Sequence, residues 1–198
     1  MQFKNINEQL DIFISILEKN TELMDMLDYI SKLNLPNFYI ASGSIYQTIW
    51  NYYDNKNLNY GINDIDVIYF NKDDLCIEKD LEYYNMINEY AREKKYNYKI
   101  DVSNEVRMHL WEMEHNPGIK VNQYKNSEDA ISNWIATVHA VGITKENGEI
   151  KVYAPCGLSD IFSKTIRPLK HNNNYKELYN RKIENLKNRF DNLNIIEW

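Results

Sequence analysis

Apolar residues recur at helical spacing over Ile6 to Leu17, through Leu10, Phe13, Ile14 and Leu17, and again over Leu23 to Leu33, through Leu23, Leu27, Ile30 and Leu33. This predicts two helices opening the chain, with Pro36 ending the second. Phe38 to Ala41 is a short apolar run that reads as a strand, and after Ser42-Gly43-Ser44 helical spacing resumes over Ile45 to Tyr53. Asp54 to Gly61 is a polar loop. Alternation then sets in over Asp64 to Phe70, a second strand in which Ile65, Val67 and Tyr69 share one face and Asp64 and Asp66 the other. Asp80 to Lys94 reads as a helix and Tyr98 to Val102 as a third strand carrying Asp101 between Ile100 and Val102. Ser127 to Val138 is a predicted helix opened by Ser127-Glu128-Asp129. Val138 to Thr144 and Glu149 to Tyr153 flank Glu146-Asn147-Gly148, the signature of a hairpin. Ala154 to Asp160 is a turn entering a short helix, and Tyr175 to Phe190 a final charged, amphipathic one.

The chemistry suggested by this pattern centres on the two aspartates of the second strand. Side chains two apart on a strand stand roughly 6 to 7 Å from each other on one face. Paired carboxylates there repel unless a cation lies between them, and a hard divalent ion such as Mg2+ takes carboxylate oxygens and completes its shell with phosphates and water. If the third strand lies beside the second, Asp101 joins the pair, and the trio can hold two ions. The strand, Gly43-Ser44 turn and following helix would present free N–H groups to an anion. Alone, an Asp-x-Asp on a strand is more often a solvated edge. The ordered combination of Gly43-Ser44, Asp64-x-Asp66 and Asp101 shifts the balance to metal binding.

Composition narrows the setting. With 198 residues, 43% hydrophobic and 26% charged, the chain suits one globular domain, with N-terminal helices over residues 1–35, a sheet-containing core over 36–168 and a C-terminal helix over 169–198. There is no repeat or linker to divide it. A net charge of −6 disfavours a large polyanionic partner without a local basic surface. No apolar run approaches a membrane span, and Glu8 and Asp11 interrupt any secretory signal, so a cytoplasmic protein without a membrane partner is expected. Cys76 and Cys156 form no zinc or disulfide framework.

At these residues the chain resembles the head domain of the nucleotidyltransferase superfamily that includes polymerase beta and the CCA-adding enzymes. Within it, the chain is similar to a bacterial nucleotidyltransferase-like family through Gln47-Thr-Ile-Trp-Asn51, Gly61-Ile-Asn-Asp-Ile-Asp-Val-Ile-Tyr-Phe70, Asn104 to Trp111, Ser127 to Ile131, Val152 to Phe162 and Ile166-Arg-Pro168. Ser103 and Asn71 depart from that pattern. The resemblance implies an α+β fold, a mixed or antiparallel sheet flanked by helices. It also implies transfer of a nucleoside monophosphate from an NTP to an acceptor hydroxyl, with pyrophosphate leaving. Asp64, Asp66 and Asp101 would then be the catalytic, metal-binding residues for Mg2+ or Mn2+, with Gly43 and Ser44 at the β- and γ-phosphates. The acceptor is left open among RNA, protein and small molecules. The alternatives are a nucleotide- or RNA-end-binding module without turnover, or a toxin–antitoxin component.

Other residues read less sharply. Arg107 and His109, two apart, would share a face on a strand and meet a phosphate or base, or else form a structural pair. His115, His139 and His171 show no ligand spacing, and Cys156 reads as a buried or tolerated thiol. Trp50, Trp111 and Trp134 are expected in the core. Lys176, Arg181, Lys182, Lys187 and Arg189 alternate with acids and read as a salt-bridged, exposed face.

Overall fold

The computed structural model describes residues 5–115, 122–171 and 175–198. Two capped helices come first: Asn5 accepts from the Glu8 N–H ahead of α1 (Ile6–Leu17), and Asn20 from the Leu23 N–H ahead of α2 (Thr21–Ser31). β1 (Tyr39–Ala41) feeds α3 (Gly43–Tyr53), and β2 (Asp64–Tyr69) is followed by α4 (Ile77–Glu93) and β3 (Lys99–Asn104). A 3-10 turn (Glu105–Arg107) leads into α5 (Met108–His115), then α6 (Ser127–Ser132), the hairpin β4 (Gly142–Glu146) and β5 (Glu149–Tyr153), and α7 (Ser159–Phe162). β6 (Thr165–Ile166), α8 (Lys176–Lys187) and β7 (Asn194–Ile195) complete the described elements.

The main sheet has the order β3-β2-β1-β4-β5, with β2 and β3 parallel and the other pairs antiparallel. Alternation divides its two faces. Ile40, Ile65, Val67, Tyr69, Ile100 and Ile143 point into the large core, where they meet Phe13, Leu17, Leu27, Ile49 and Trp50 from α1, α2 and α3. The opposite face carries Tyr39, Ala41 and Ile68 in a small cluster with Ile131 and Ala140. Asp64, Asp66 and Asp101 belong to this second, thinly covered face. The hairpin forms at Asn147-Gly148, both in the left-handed region (φ 50° and 85°), as a two-residue turn requires.

Three expectations are corrected. The helix expected from Ser127 to Val138 stops at Ser132, because Ile135 to Thr137 instead exchanges backbone hydrogen bonds with Arg167 to Leu169. Residues 105–115 are helical, so the shared strand face suggested for Arg107 and His109 does not exist. Trp50 is fully buried and donates to the Ile161 carbonyl at 2.8 Å, and Trp134 packs against the smaller cluster. Trp111, however, lies 47% exposed, stacked on His115 one turn later. Of the two readings of Cys156, the exposed position fits the tolerated thiol and not the buried one.

Candidate active site

The parallel register of β2 and β3 sets Asp66 directly opposite Asp101, and Asp64 opposite Lys99. One carboxylate oxygen from each of Asp64, Asp66 and Asp101 lies within 4.8 Å of the other two. At that separation each charged pair repels by roughly 3 kcal/mol for an effective dielectric near 20. Burial and the neighbouring Asp64 and Asp101 carboxylates accordingly push the Asp66 carboxyl up to about 6, against the attraction of Lys182. Lys99 relieves part of the repulsion through an ion pair to Asp101 at 2.5 Å, but both side chains are about half exposed, where such a pair contributes little. Three hard oxygen donors converging with too little positive charge fit a divalent cation.

The two strands that carry the trio are braced by polar contacts at their ends. Asn104 donates to the carbonyls of Asn71 and Asp74 and accepts from the Asn71 N–H, clamping the end of β3 to the end of β2. Arg189 donates to Gln47 Oε1 at 3.0 Å and to the Gly61 carbonyl, tying α3 to the loop that enters β2.

β1 delivers the chain to Ser42, whose backbone is in the left-handed region (φ 57°, ψ −116°), a conformation unusual for a residue with a Cβ. Its carbonyl accepts from the N–H groups of Ile45 and Tyr46, while its hydroxyl makes no capping bond. Gly43 and Ser44 form the first turn of α3. Ser44 Oγ is buried without a hydrogen-bond partner.

A cavity of about 280 Å³ adjoins Asp66 and Asp101. Ser42, His139 and Lys182 line it along with Ser103, Glu105, Met108, Tyr124, Trp134, Tyr175 and Leu178; Gly43, Ser44, Arg107 and His109 do not. Glu105 is 3% exposed, and burial raises its carboxyl to about 8, with the Ser103 hydroxyl, donating at 2.9 Å, opposing and Asp66 adding to the rise. His139 is lowered to about 3 by burial and then by Lys182, which keeps the imidazole neutral.

The carboxylate trio anticipated from the sequence is therefore assembled, and Gly43 and Ser44 lie at the helix start beside it. Arg107 stands elsewhere, ion-paired with Asp80 and donating to the Cys76 carbonyl, while Tyr69 donates to the same Asp80. His109 has a buried Nδ1 without a partner. Lys176, Arg181, Lys182 and Lys187 are exposed as expected and Lys187 pairs with Glu184, but Lys182 also borders the cavity and Arg189 is tied to Gln47. The sequence reading missed Ser42, Glu105, His139 and Lys182. A signal for Lys182 exists in Tyr175, Leu178 and Lys182, which recur at one helical face and all line the cavity, while Tyr179, Ile183 and Leu186 face the core.

A family model described as nucleotidyltransferase matches residues 28–195. The chain belongs to this nucleotidyltransferase family. An NMR structure described as revealing a CCA-adding enzyme head domain is similar to this chain with a TM-score of 0.78 and 28% identity, covering 100% of this chain and 98% of that one. The α+β fold expected from the sequence, a mixed sheet flanked by helices, is the fold observed. No curated protein matches the chain. Among the described residues, no helix is long and apolar enough to cross a membrane.

Proposed function

We propose that this protein is a metal-dependent enzyme that moves a nucleoside monophosphate from an NTP to an acceptor hydroxyl and releases pyrophosphate. The observation that carries this reading is the convergence of Asp64, Asp66 and Asp101 within 4.8 Å beside the N-terminus of α3. Asp64 and Asp66 would hold the Mg2+ or Mn2+ that accompanies the nucleotide, and Asp101 would share a second ion. When bound, such ions neutralise triphosphate charge and favour ionisation of the attacking hydroxyl.

The protein's own groups supply the positioning. Gly43 and Ser44, in the first turn of α3, offer backbone N–H groups to the β- and γ-phosphates, where the helix terminus favours negative charge. Asp101 lies on the edge strand and is about half exposed, so an acceptor can approach it from solvent and give up its proton there. The acceptor oxygen then bonds to the α-phosphorus in line with the bond that breaks. The bridging oxygen departs with the electron pair as pyrophosphate.

Thermal unfolding tests the nucleotide half of this reading. Mg-NTP at a hundred times its Kd should stabilise the protein by about 2.7 kcal/mol. The double substitution Asp64→Asn with Asp66→Asn should abolish that shift and leave the circular dichroism spectrum unchanged. An undiminished shift in the double variant would locate nucleotide binding away from the trio and end the reading.

A further inference from the structure

Asp101, Ser103 and Glu105 lead in a row from the carboxylate trio into the cavity. Residues two apart on a strand share a face, so Asp101 and Ser103 lie together on one side of β3. Just past the end of that strand, Glu105 Oε1 accepts from the Ser103 hydroxyl at 2.9 Å. All three residues line the cavity. Glu105 is 3% exposed, and no Lys or Arg pairs with it among the described residues. Among those residues its second carboxyl oxygen has no hydrogen-bond partner either. A buried carboxyl bonded at one oxygen only, on the wall of a cavity, calls for a ligand that donates hydrogen bonds to it.

The rest of the cavity restricts what that ligand is. Its volume of about 280 Å³ is at the lower end for small-molecule pockets, and Met108, Tyr124 and Trp134 give it broad apolar surface. Asp101 and Glu105 stand roughly 12 Å apart along the chain, and a hydrogen bond at each end leaves about 6 Å, the span of one sugar ring. An anion, an RNA end included, meets Glu105 and Glu112 on that wall, while a cation meets a carboxyl that burial keeps neutral. Lys182, also on the wall, is exposed and attracted by Asp66. What fits is an uncharged ring with several hydroxyls. Hydroxyls donate to a carboxyl in either of its protonation states, and the C–H face of such a ring packs on aromatic side chains.

Resting on the nucleotidyl-transfer reading, we propose that the acceptor is a small, uncharged polyhydroxyl compound of sugar type, bound in this cavity with one hydroxyl at Asp101 and another on Glu105. Glu105 and Ser103 select it, and Tyr124 and Trp134 supply its apolar contact. The hydroxyl at Asp101 gives its proton to that carboxylate, and its oxygen bonds to the α-phosphorus. The bond from that phosphorus to the bridging oxygen breaks, and pyrophosphate leaves with the electron pair.

Label transfer from α-labelled Mg-NTP to defined compounds tests this: neutral monosaccharides and inositol, their amino-sugar and sugar-phosphate counterparts, and a short RNA. Wild type should label at least one neutral compound and prefer it at least tenfold in kcat/KM over its charged counterparts and over the RNA. Mg-NTP binding is measured beside it by calorimetry on wild type, Ser103→Ala, Glu105→Leu and Glu105→Gln, and unliganded melting temperatures establish that each variant is folded. Glu105→Leu should raise KM for the acceptor at least tenfold through lost hydrogen bonds and leave Mg-NTP affinity within twofold. Glu105→Gln, which keeps an accepting oxygen, should stay within threefold of wild type, and Ser103→Ala should fall between the two. Transfer to the RNA or to charged compounds alone, transfer to none of the set, or an acceptor KM unchanged in Glu105→Leu overturns the acceptor assignment. Mg-NTP affinity that falls with Glu105→Leu puts the nucleoside in the cavity and overturns it too. A wild type that binds no Mg-NTP overturns the nucleotidyl-transfer reading itself.

Discussion

Replacing Asp66 by Asn should make the metal-free protein more stable, not less. Asp66 sits where burial and two other carboxylates raise its ionisation from an ordinary 3.8 to about 6. A folded state that binds its proton more tightly than the unfolded chain loses stability as pH rises through that interval. The full cost is therefore present at pH 7.5 and absent at pH 3.5. Raising a carboxyl this far corresponds to roughly 3 kcal/mol, and because the side chain is partly exposed, about 1 to 2 kcal/mol is the expected gain for Asn. For a chain of this size that is a rise of roughly 3 to 6 °C in Tm. The assay is thermal or urea unfolding of both proteins in chelator at pH 7.5 and pH 3.5, then with Mg2+ at pH 7.5. Wild type should gain stability from Mg2+ and the variant should not, so their order narrows or reverses. A variant less stable than wild type in chelator at pH 7.5, or one whose advantage persists at pH 3.5, would refute the reasoning that the trio is a store of uncompensated charge.

Three further outcomes follow from particular contacts. Glu105→Gln should flatten the pH dependence of stability between about 4.5 and 8, the interval over which wild type loses up to roughly 4 kcal/mol because its buried carboxyl keeps a proton that the unfolded chain releases; stability curves at pH 5 and pH 8 check it. Gly142→Ala should cost about 1 to 3 kcal/mol, since its Cβ would come within 2.8 Å of Ile131 Cδ1 and 3.0 Å of the Tyr39 ring, measured as a lower urea midpoint with an unchanged slope. Arg107→Met, which strands Asp80 beside Tyr69, should destabilise by about 3 kcal/mol and leave the Mg-NTP affinity of the remaining folded protein within threefold, by calorimetry; a larger loss of affinity would return Arg107 to the nucleotide.

What could be read in the sequence was local or periodic. Alternation placed Asp64 and Asp66 on one face, and Asn147-Gly148 fixed the hairpin, because strand geometry and left-handed turns are decided by a few adjacent residues. The convergence of Asp101 depended on β3 pairing in parallel with β2, a non-local fact that the order of motifs suggested and the register supplies. The overlong helix after Ser127 has the opposite cause: its second half meets a remote partner, Arg167 to Leu169, that local spacing does not reveal. Trp111 was misplaced because an aromatic residue on a short helix with no buried residues carries the same letter as one in a core. Lys182 was hidden among alternating charges, where only the shared helical face of Tyr175, Leu178 and Lys182 distinguishes a cavity residue from a surface one.

The central claim is nucleotidyl transfer at the trio, and transfer of label tests it most directly. The protein is incubated with each α-labelled NTP and Mg2+ or Mn2+ in the presence of RNA, protein and small-metabolite pools, with pyrophosphate measured in parallel. Wild type should place label on one acceptor class with one pyrophosphate per label. Asp101→Ala should keep NTP affinity within about tenfold yet reduce transfer at least a hundredfold, the pattern of a group that acts chiefly in the transition state. Nucleotide binding with no transfer to any pool, or transfer that survives loss of Asp101, would contradict the account.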